Sequence, residues 1–341
     1  MSLSRRGMPS LYPNIKLADY PNQTEKKLWG GWLNNYYIST PIVKNKSKAS
    51  PTLPLVESIL PQFPLTPKLL DGFLILHTCH TDEPEDVCLC RLPSHNLNIL
   101  NAEDFSLFIN LVHLDLSDNH IPFAPLGEFR RLKILELACN NLTHLQVPVN
   151  YFSELSVLDL SCNTLSDLSI LALGYIPRLR SLDLSSNQLT MLPKALTGQH
   201  MDEGGYTNFN ALENLILDNN QLESPSIFQS LAGLQRLQYL NLDRNKILFI
   251  PRLVPEEIEG KVPSILAFTH LQFLSLVGNQ ITYPADVMPI ADWPRLHQVN
   301  LWDNPIITHH KCMPTPLVEI LVKGKGINIL GKYPKLKRLD I

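Results

Sequence analysis

Leucines and polar residues alternate through the middle of this chain in one phrase that recurs eight times. The phrase is Leu-x-x-Leu-x-Leu-x-x-Asn-x-Leu, with other apolar residues standing in at some leucine places. It reads LVHLDLSDNHI from Leu111, LKILELACNNL from Leu132, LSVLDLSCNTL from Leu155 and LRSLDLSSNQL from Leu179. It continues as LENLILDNNQL from Leu212, LQYLNLDRNKI from Leu237, LQFLSLVGNQI from Leu271 and LHQVNLWDNPI from Leu296. Places 4 to 6 alternate with period 2, which predicts a short strand with one buried face. Places 1, 4, 6 and 11 then point inward, while places 3, 5 and 7 share the opposite, exposed face. Place 9 is always asparagine, at 119, 140, 163, 187, 220, 245, 279 and 304.

Self-similarity at this period predicts an α/β solenoid, a leucine-rich-repeat horseshoe of about eight repeats with a parallel concave sheet. Successive asparagines lie 21, 23, 24, 33, 25, 34 and 25 residues apart. Spacings near 22–25 suit a strand, a turn at the asparagine and a short return on the convex side. The asparagine side chain is expected to satisfy backbone groups inside that turn. The two long spacings predict insertions near 194–208 and 252–267, emerging on one edge. Four parts follow: an extended Pro-rich arm over 1–66, an N-terminal cap over 67–110, the solenoid over 111–305 and a C-terminal cap over 306–341. In the first cap FLILH reads as a short apolar strand, and NLNILNAEDFSLFINL as half a repeat with a helical turn. In the second, PLVEILV predicts a short helix and YPKLKRLDI the closing segment.

The arm holds eight prolines and no sustained period, so it has no core of its own. KKLWGGWLNNYY nevertheless places Trp29, Trp32, Tyr36 and Tyr37 within nine residues. Such aromatics either dock onto the solenoid or anchor in a partner. Charge is distributed unevenly. Residues 1–66 carry eight Lys/Arg against three Asp/Glu, and residues 311–341 seven against two, each a net of +5. The total of −3 leaves about −13 for the body between them. Basic ends fit a polyanion, whether nucleic acid, an anionic membrane or the acidic surface of a filament, and equally fit solvated tails, whereas an acidic body disfavours nucleic acid. No apolar leader and no run of about 18 apolar residues is present, and the six cysteines are scattered. An intracellular chain with reduced thiols and no membrane contact is expected.

On the exposed face, place 5 supplies Asp115, Glu136, Asp159 and Asp183 over the first four repeats. Tyr239, Phe273, Val277 and Trp302 occupy places 3 and 7 over the last three. Acids at place 5 fit a simple repeat habit as well as a basic partner. Exposed aromatics on a sheet point more sharply to an interface. HTCHTDEPEDVCLC brings together His77, Cys79, His80, Cys88 and Cys90, enough donors for zinc. Their spacing matches no familiar finger, so no metal or cofactor is expected. His309-His310 beside Cys312 is weaker still, and Cys139 and Cys162, at place 8 of adjacent repeats, are expected near each other and, in a reducing compartment, read as packing or incidental. No phosphate-binding glycine loop, H-E-x-x-H or nucleophile elbow occurs, and no catalysis is expected.

LNAEDFSLFINLV from Leu100 and ALENLILDNNQLESPSIFQSLAGLQRLQYLNLDRNKI from Ala211 are more distinctive than generic repeats. Over roughly residues 97–320 the chain resembles the X-ray radiation resistance-associated leucine-rich-repeat protein family. Family members carry a longer insertion after the motif that here is Ile250-Pro251. The resemblance implies no catalytic residues; the family name implies a radiation phenotype, and its expression pattern ciliated and testicular tissue. Caps and repeat lengths are also similar to those of axonemal leucine-rich-repeat proteins that dock on microtubule doublets. The expected function is a non-enzymatic protein–protein scaffold in the cytoplasm and cytoskeleton, built into a ciliary or flagellar axoneme beside tubulin or axonemal proteins. The alternative is a nuclear and cytoplasmic adaptor, or phosphatase regulator, in a radiation response.

Overall fold

Each repeat lays its leucine phrase onto a three-residue strand whose place-4 side chain is driven inward. The computed structural model describes residues 68–193, 196, 209–223, 225–253, 267–309 and 313–330. The arm over 1–66 with Trp29, Trp32, Tyr36 and Tyr37, most of both insertions, and 331–341 with the whole of the expected closing segment lie outside the described residues. The repeats supply β4 (His113–Asp115), β5 (Ile134–Glu136), β6 (Val157–Asp159), β7 (Ser181–Asp183), β8 (Asn214–Ile216), β9 (Tyr239–Asn241), β10 (Phe273–Ser275) and β11 (Gln298–Asn300). Neighbours pair in parallel, place for place, so Leu114, Leu135, Leu158, Leu182, Leu215, Leu240, Leu274 and Val299 form one inward row.

Among the described residues the sheet has ten strands rather than the eight expected from the phrases. β2 (Leu89–Arg91) precedes β4, and β12 (Asn328–Leu330) follows β11. Neither carries the asparagine phrase, yet each covers a strand edge that would otherwise be open. A second, two-stranded parallel sheet joins β1 (Lys68–Leu70) to β3 (Leu97–Leu100). Between β1 and β2 the expected strand over FLILH is instead α1 (Gly72–Cys79). Asp71 caps it, its carboxylate accepting from the Leu74 amide at 2.8 Å, and this local bond selects helix where the apolar run alone is ambiguous. The remaining expectation for that segment holds: β3 is followed by a helical turn at Phe105–Leu107.

The returns on the convex side are short, among them α2 (Asp167–Leu173) and α3 (Ser226–Leu231). Aromatic pairs fill the space behind the leucines: Phe105 on Phe129 with centroids 4.3 Å apart, Phe123 on Phe152 at 4.5 Å, Phe268 on Trp293 at 4.3 Å. After β11 come α4 (Pro305–Thr308) and the expected helix over PLVEILV, a wide turn at Leu317–Gly324. Its Leu317 and Leu321 are fully buried.

The asparagines do more than close their own turns. The Asn163 amide donates to Leu160 O in its own repeat at 2.9 Å and to Leu137 O in the preceding one at 3.0 Å. Its oxygen accepts from the Asn140 and Leu142 amides of that preceding repeat, at 3.0 and 2.9 Å. The bridge to the preceding repeat recurs from Asn140 to Asn304. Each repeat is thereby hydrogen-bonded to its neighbour through buried side chains as well as through the sheet.

Candidate functional site

The concave face is built by places 3, 5 and 7, held at the pitch of neighbouring strands, about 4.8 Å. At that spacing side chains cover one another, and the face is less open than alternation alone predicts. His113, Asp115, Ile134, Glu136, Val157, Ser181 and Phe273 are all buried.

In the acidic half, Asp115, Glu136, Asp159 and Asp183 stand directly opposite one another on β4 to β7. Three acids of this row also hold the backbone locally. Asp115, Asp159 and Asp183 each accept the amide of place 7, from Ser117 at 3.0 Å, Ser161 at 2.8 Å and Ser185 at 2.8 Å. This Asx-type bond at the strand end accounts physically for a repeat habit. It does not remove the mutual repulsion. Burial first, then the charges of Glu136 and Asp115, hold Asp159 above the usual carboxylate range. Burial first, then Asp159, raise Asp183 well above it.

Two further acids extend the row. Asp218 and Asp243 occupy place 7 of the fifth and sixth repeats, one step along the strand from place 5. Sequence reading placed them on this face without joining them to the row; the signal was their shared side of the strand. The Ser185 hydroxyl bonds both Asp183 and Asp218, the latter at 2.9 Å. Burial raises Asp218, and raises Asp243 to about 6. Among the described residues no lysine or arginine forms an ion pair with these six acids. His113 Nε2 meets Glu136 Oε1 at 2.8 Å, a pairing the sequence did not reveal because it crosses from place 3 to place 5 of the next repeat. The other oxygen, Glu136 Oε2, is buried with no hydrogen-bond partner among the described residues.

The aromatic half divides in two. Tyr239 and Phe273 stack on adjacent strands with centroids 4.8 Å apart and planes 1° from parallel. Phe273, expected to be exposed, is 6% exposed because this ring and its neighbours cover it. Val277 and Trp302 lie four places further on, about 13 Å along the strand direction, so the four residues form two apolar spots. Trp302 is 41% exposed. Val277 ties the two halves together, its amide donating to Asp243 Oδ1 at 2.7 Å.

Of the candidate zinc donors, Cys79 lies beside Cys90 and donates to Leu89 O at 3.4 Å. The hydrogen bond to Cys79 and burial push the Cys90 thiol up. Among the described residues no group of three or more His, Cys, Asp or Glu is placed to hold a metal ion; His310 and Cys312 fall outside them. Nor is any described helix long and apolar enough to cross a membrane.

Comparison with known proteins agrees with this architecture. Family models described as leucine rich repeat match residues 110–132 and 130–189. A solved leucine-rich-repeat protein of Leptospira interrogans superposes with a TM-score of 0.53 at 23% identity, covering 79% of this chain and 60% of that one, and so shares the fold. Zebrafish (Danio rerio) tubulin-specific chaperone E is 28% identical over 246 residues, 70% of this chain and 44% of its own. Mouse (Mus musculus) X-ray radiation resistance-associated protein 1 is 38% identical over 298 residues, or 80% of this chain. The chain spans 38% of that relative's length. At that identity over that share of its residues, the chain belongs to the X-ray radiation resistance-associated protein 1 family.

Proposed function

We propose that this leucine-rich-repeat chain is a non-enzymatic scaffold whose concave face holds an extended, basic segment of another protein. The observation that carries the reading is the buried acid row with its unpartnered Glu136 Oε2. A buried acceptor without a donor is costly, and so are raised carboxylates stacked on one another. Lysine or arginine from a partner removes both costs at once. Apolar residues of the same segment would lie over Tyr239 and Phe273 or over Val277 and Trp302. Aromatic anchors then supply most of the affinity and the acids supply steering.

The assembly we favour is the ciliary or flagellar axoneme. Likeness to a protein named as a tubulin-specific chaperone supports a microtubule setting. The basic ends of the chain suit acidic tubulin, while the acidic face suits a basic neighbour. Fractionation of ciliated cells tests this directly. A built-in component stays with the axoneme through detergent and moderate salt. Release into the soluble pool would contradict the reading and favour the alternative of a nuclear or cytoplasmic radiation-response adaptor, which the name of the mouse relative supports.

A further inference from the structure

The cysteines at place 8 of the second and third repeats form a pair that the scaffold function does not use. The ladder between β5 and β6 continues past the strands: the Leu137 amide donates to Asp159 O at 2.8 Å and the Cys139 amide to Ser161 O at 2.9 Å. Glu136 faces Asp159, so three residues on Cys139 faces Cys162 in the same register. Both have left-handed backbone, φ 56° and 55°, so their side chains leave the turns in the same direction. Both are free and exposed. Left-handed backbone favours Asn, Asp and Gly, and place 8 elsewhere holds Asp118, Ser186, Asn219, Arg244, Gly278 and Asp303, four of the six of those types. Two consecutive turns instead carry cysteine.

We propose that Cys139 and Cys162 form a reversible disulfide that clamps the second and third repeats together beside Glu136 and Asp159. Opposed residues on adjacent strands fall within the separation a disulfide spans. The oxidant is a peroxide. One thiolate attacks an oxygen of hydrogen peroxide, giving a sulfenic acid and releasing hydroxide, which takes up a proton. The second thiol then displaces the sulfenic hydroxyl as water. Two thiols and one peroxide thus give one disulfide and two waters, and a dithiol reductant reverses the bond. Burial first, and the Cys162 neighbour second, push the Cys139 thiol up to about 11. The pair is therefore a stable dithiol near neutral pH, and oxidation quickens as pH rises. The clamp is independent of what occupies the concave face.

The test uses the full chain, reduced and then exposed to hydrogen peroxide, with peptide mapping under non-reducing conditions. No lysine or arginine lies between the two cysteines, but Glu154 does. Cleavage there separates the cysteines unless a disulfide holds them. The expected result is a Cys139–Cys162 linked peptide two hydrogens lighter than its parts. A rise in Tm of about 3–6 °C should accompany it and vanish on reduction, as closing a loop of this length restricts the unfolded chain. Cys139→Ser and Cys162→Ser should each lose both effects. Independent over-oxidation of the two sulfurs, disulfides only between separate molecules, or a linked peptide with unchanged Tm would overturn the clamp. The mapping on the unsubstituted chain decides even where a variant fails to fold.

Discussion

Tyr239 and Phe273 lie ring on ring across β9 and β10, 4.8 Å between centroids and 1° from parallel, yet only one of them faces away from solvent almost completely. Phe273 is buried at 6% exposure, whereas Trp302, in the turn just past the next strand, is 41% exposed. Removing Phe273 and removing Trp302 therefore do different things. Phe273→Ala should lower stability, by about 3–5 kcal/mol, as well as binding. Trp302→Ala should weaken partner capture by tens of fold, about 2 kcal/mol, while the melting temperature stays nearly unchanged. Parallel titrations of binding and thermal melts for both variants check this.

The register of the sheet is open to a paired substitution. Leu160 is fully buried behind β6, and truncation to alanine in a tight core costs about 2–5 kcal/mol. Asp159, on the concave side, loses the Ser161 amide bond on truncation but also leaves a repelling row. Asp159→Ala should change stability by no more than about 1 kcal/mol. Denaturant midpoints for Leu160→Ala and Asp159→Ala should differ accordingly; equal shifts would contradict the register.

Asn163 tests the bridge between repeats. Asn163→Ala removes three donated and two accepted bonds and leaves buried backbone groups of two repeats unpaired. Each unsatisfied group costs about 1–3 kcal/mol, so the variant should lose at least about 3 kcal/mol, comparable to a cavity-forming leucine substitution. Urea unfolding followed by circular dichroism gives the comparison.

The acid row should give the solenoid an inverted pH response. Asp243 rises from an ordinary carboxylate value to about 6 when folded, so between those values the folded state binds more protons than the unfolded one. Stability contributed by this group is then lost as pH rises through about 6. Asp159, Asp183 and Asp218 shift in the same direction. Asp243→Asn keeps an oxygen for the Val277 amide and removes the charge. It should flatten the decline between about pH 4 and 6.5 and raise stability at about pH 7.5 by about 2 kcal/mol. Melting curves across that range check both the slope and its sign.

The repeats are legible because a leucine that must be buried at place 4 cannot be exchanged for a polar residue, and the asparagine must sit where two turns meet. Harder to see are features fixed by contact rather than by period. FLILH became a helix because Asp71 bonds to Leu74, and five apolar residues cannot announce that bond. β2 and β12 lack the phrase and join the sheet only by covering its ends. At the concave face the order of acids and aromatics was readable. The shielding of Phe273, the pairing of His113 with Glu136 and the extension of the row to Asp218 and Asp243 depend on which places oppose one another.

Hydroxyl-radical footprinting of Trp302 and Tyr239, in the free chain and in axonemes extracted with detergent, tests the concave face most directly. Occupation by a partner segment predicts that both side chains lose most of their reactivity in the assembly, while exposed Phe73 in the N-terminal cap and Tyr283 on a convex return serve as references. Equal labelling of Trp302 and Tyr239 in the two states would contradict the account, leaving the partner on the convex side, the edges or the arm.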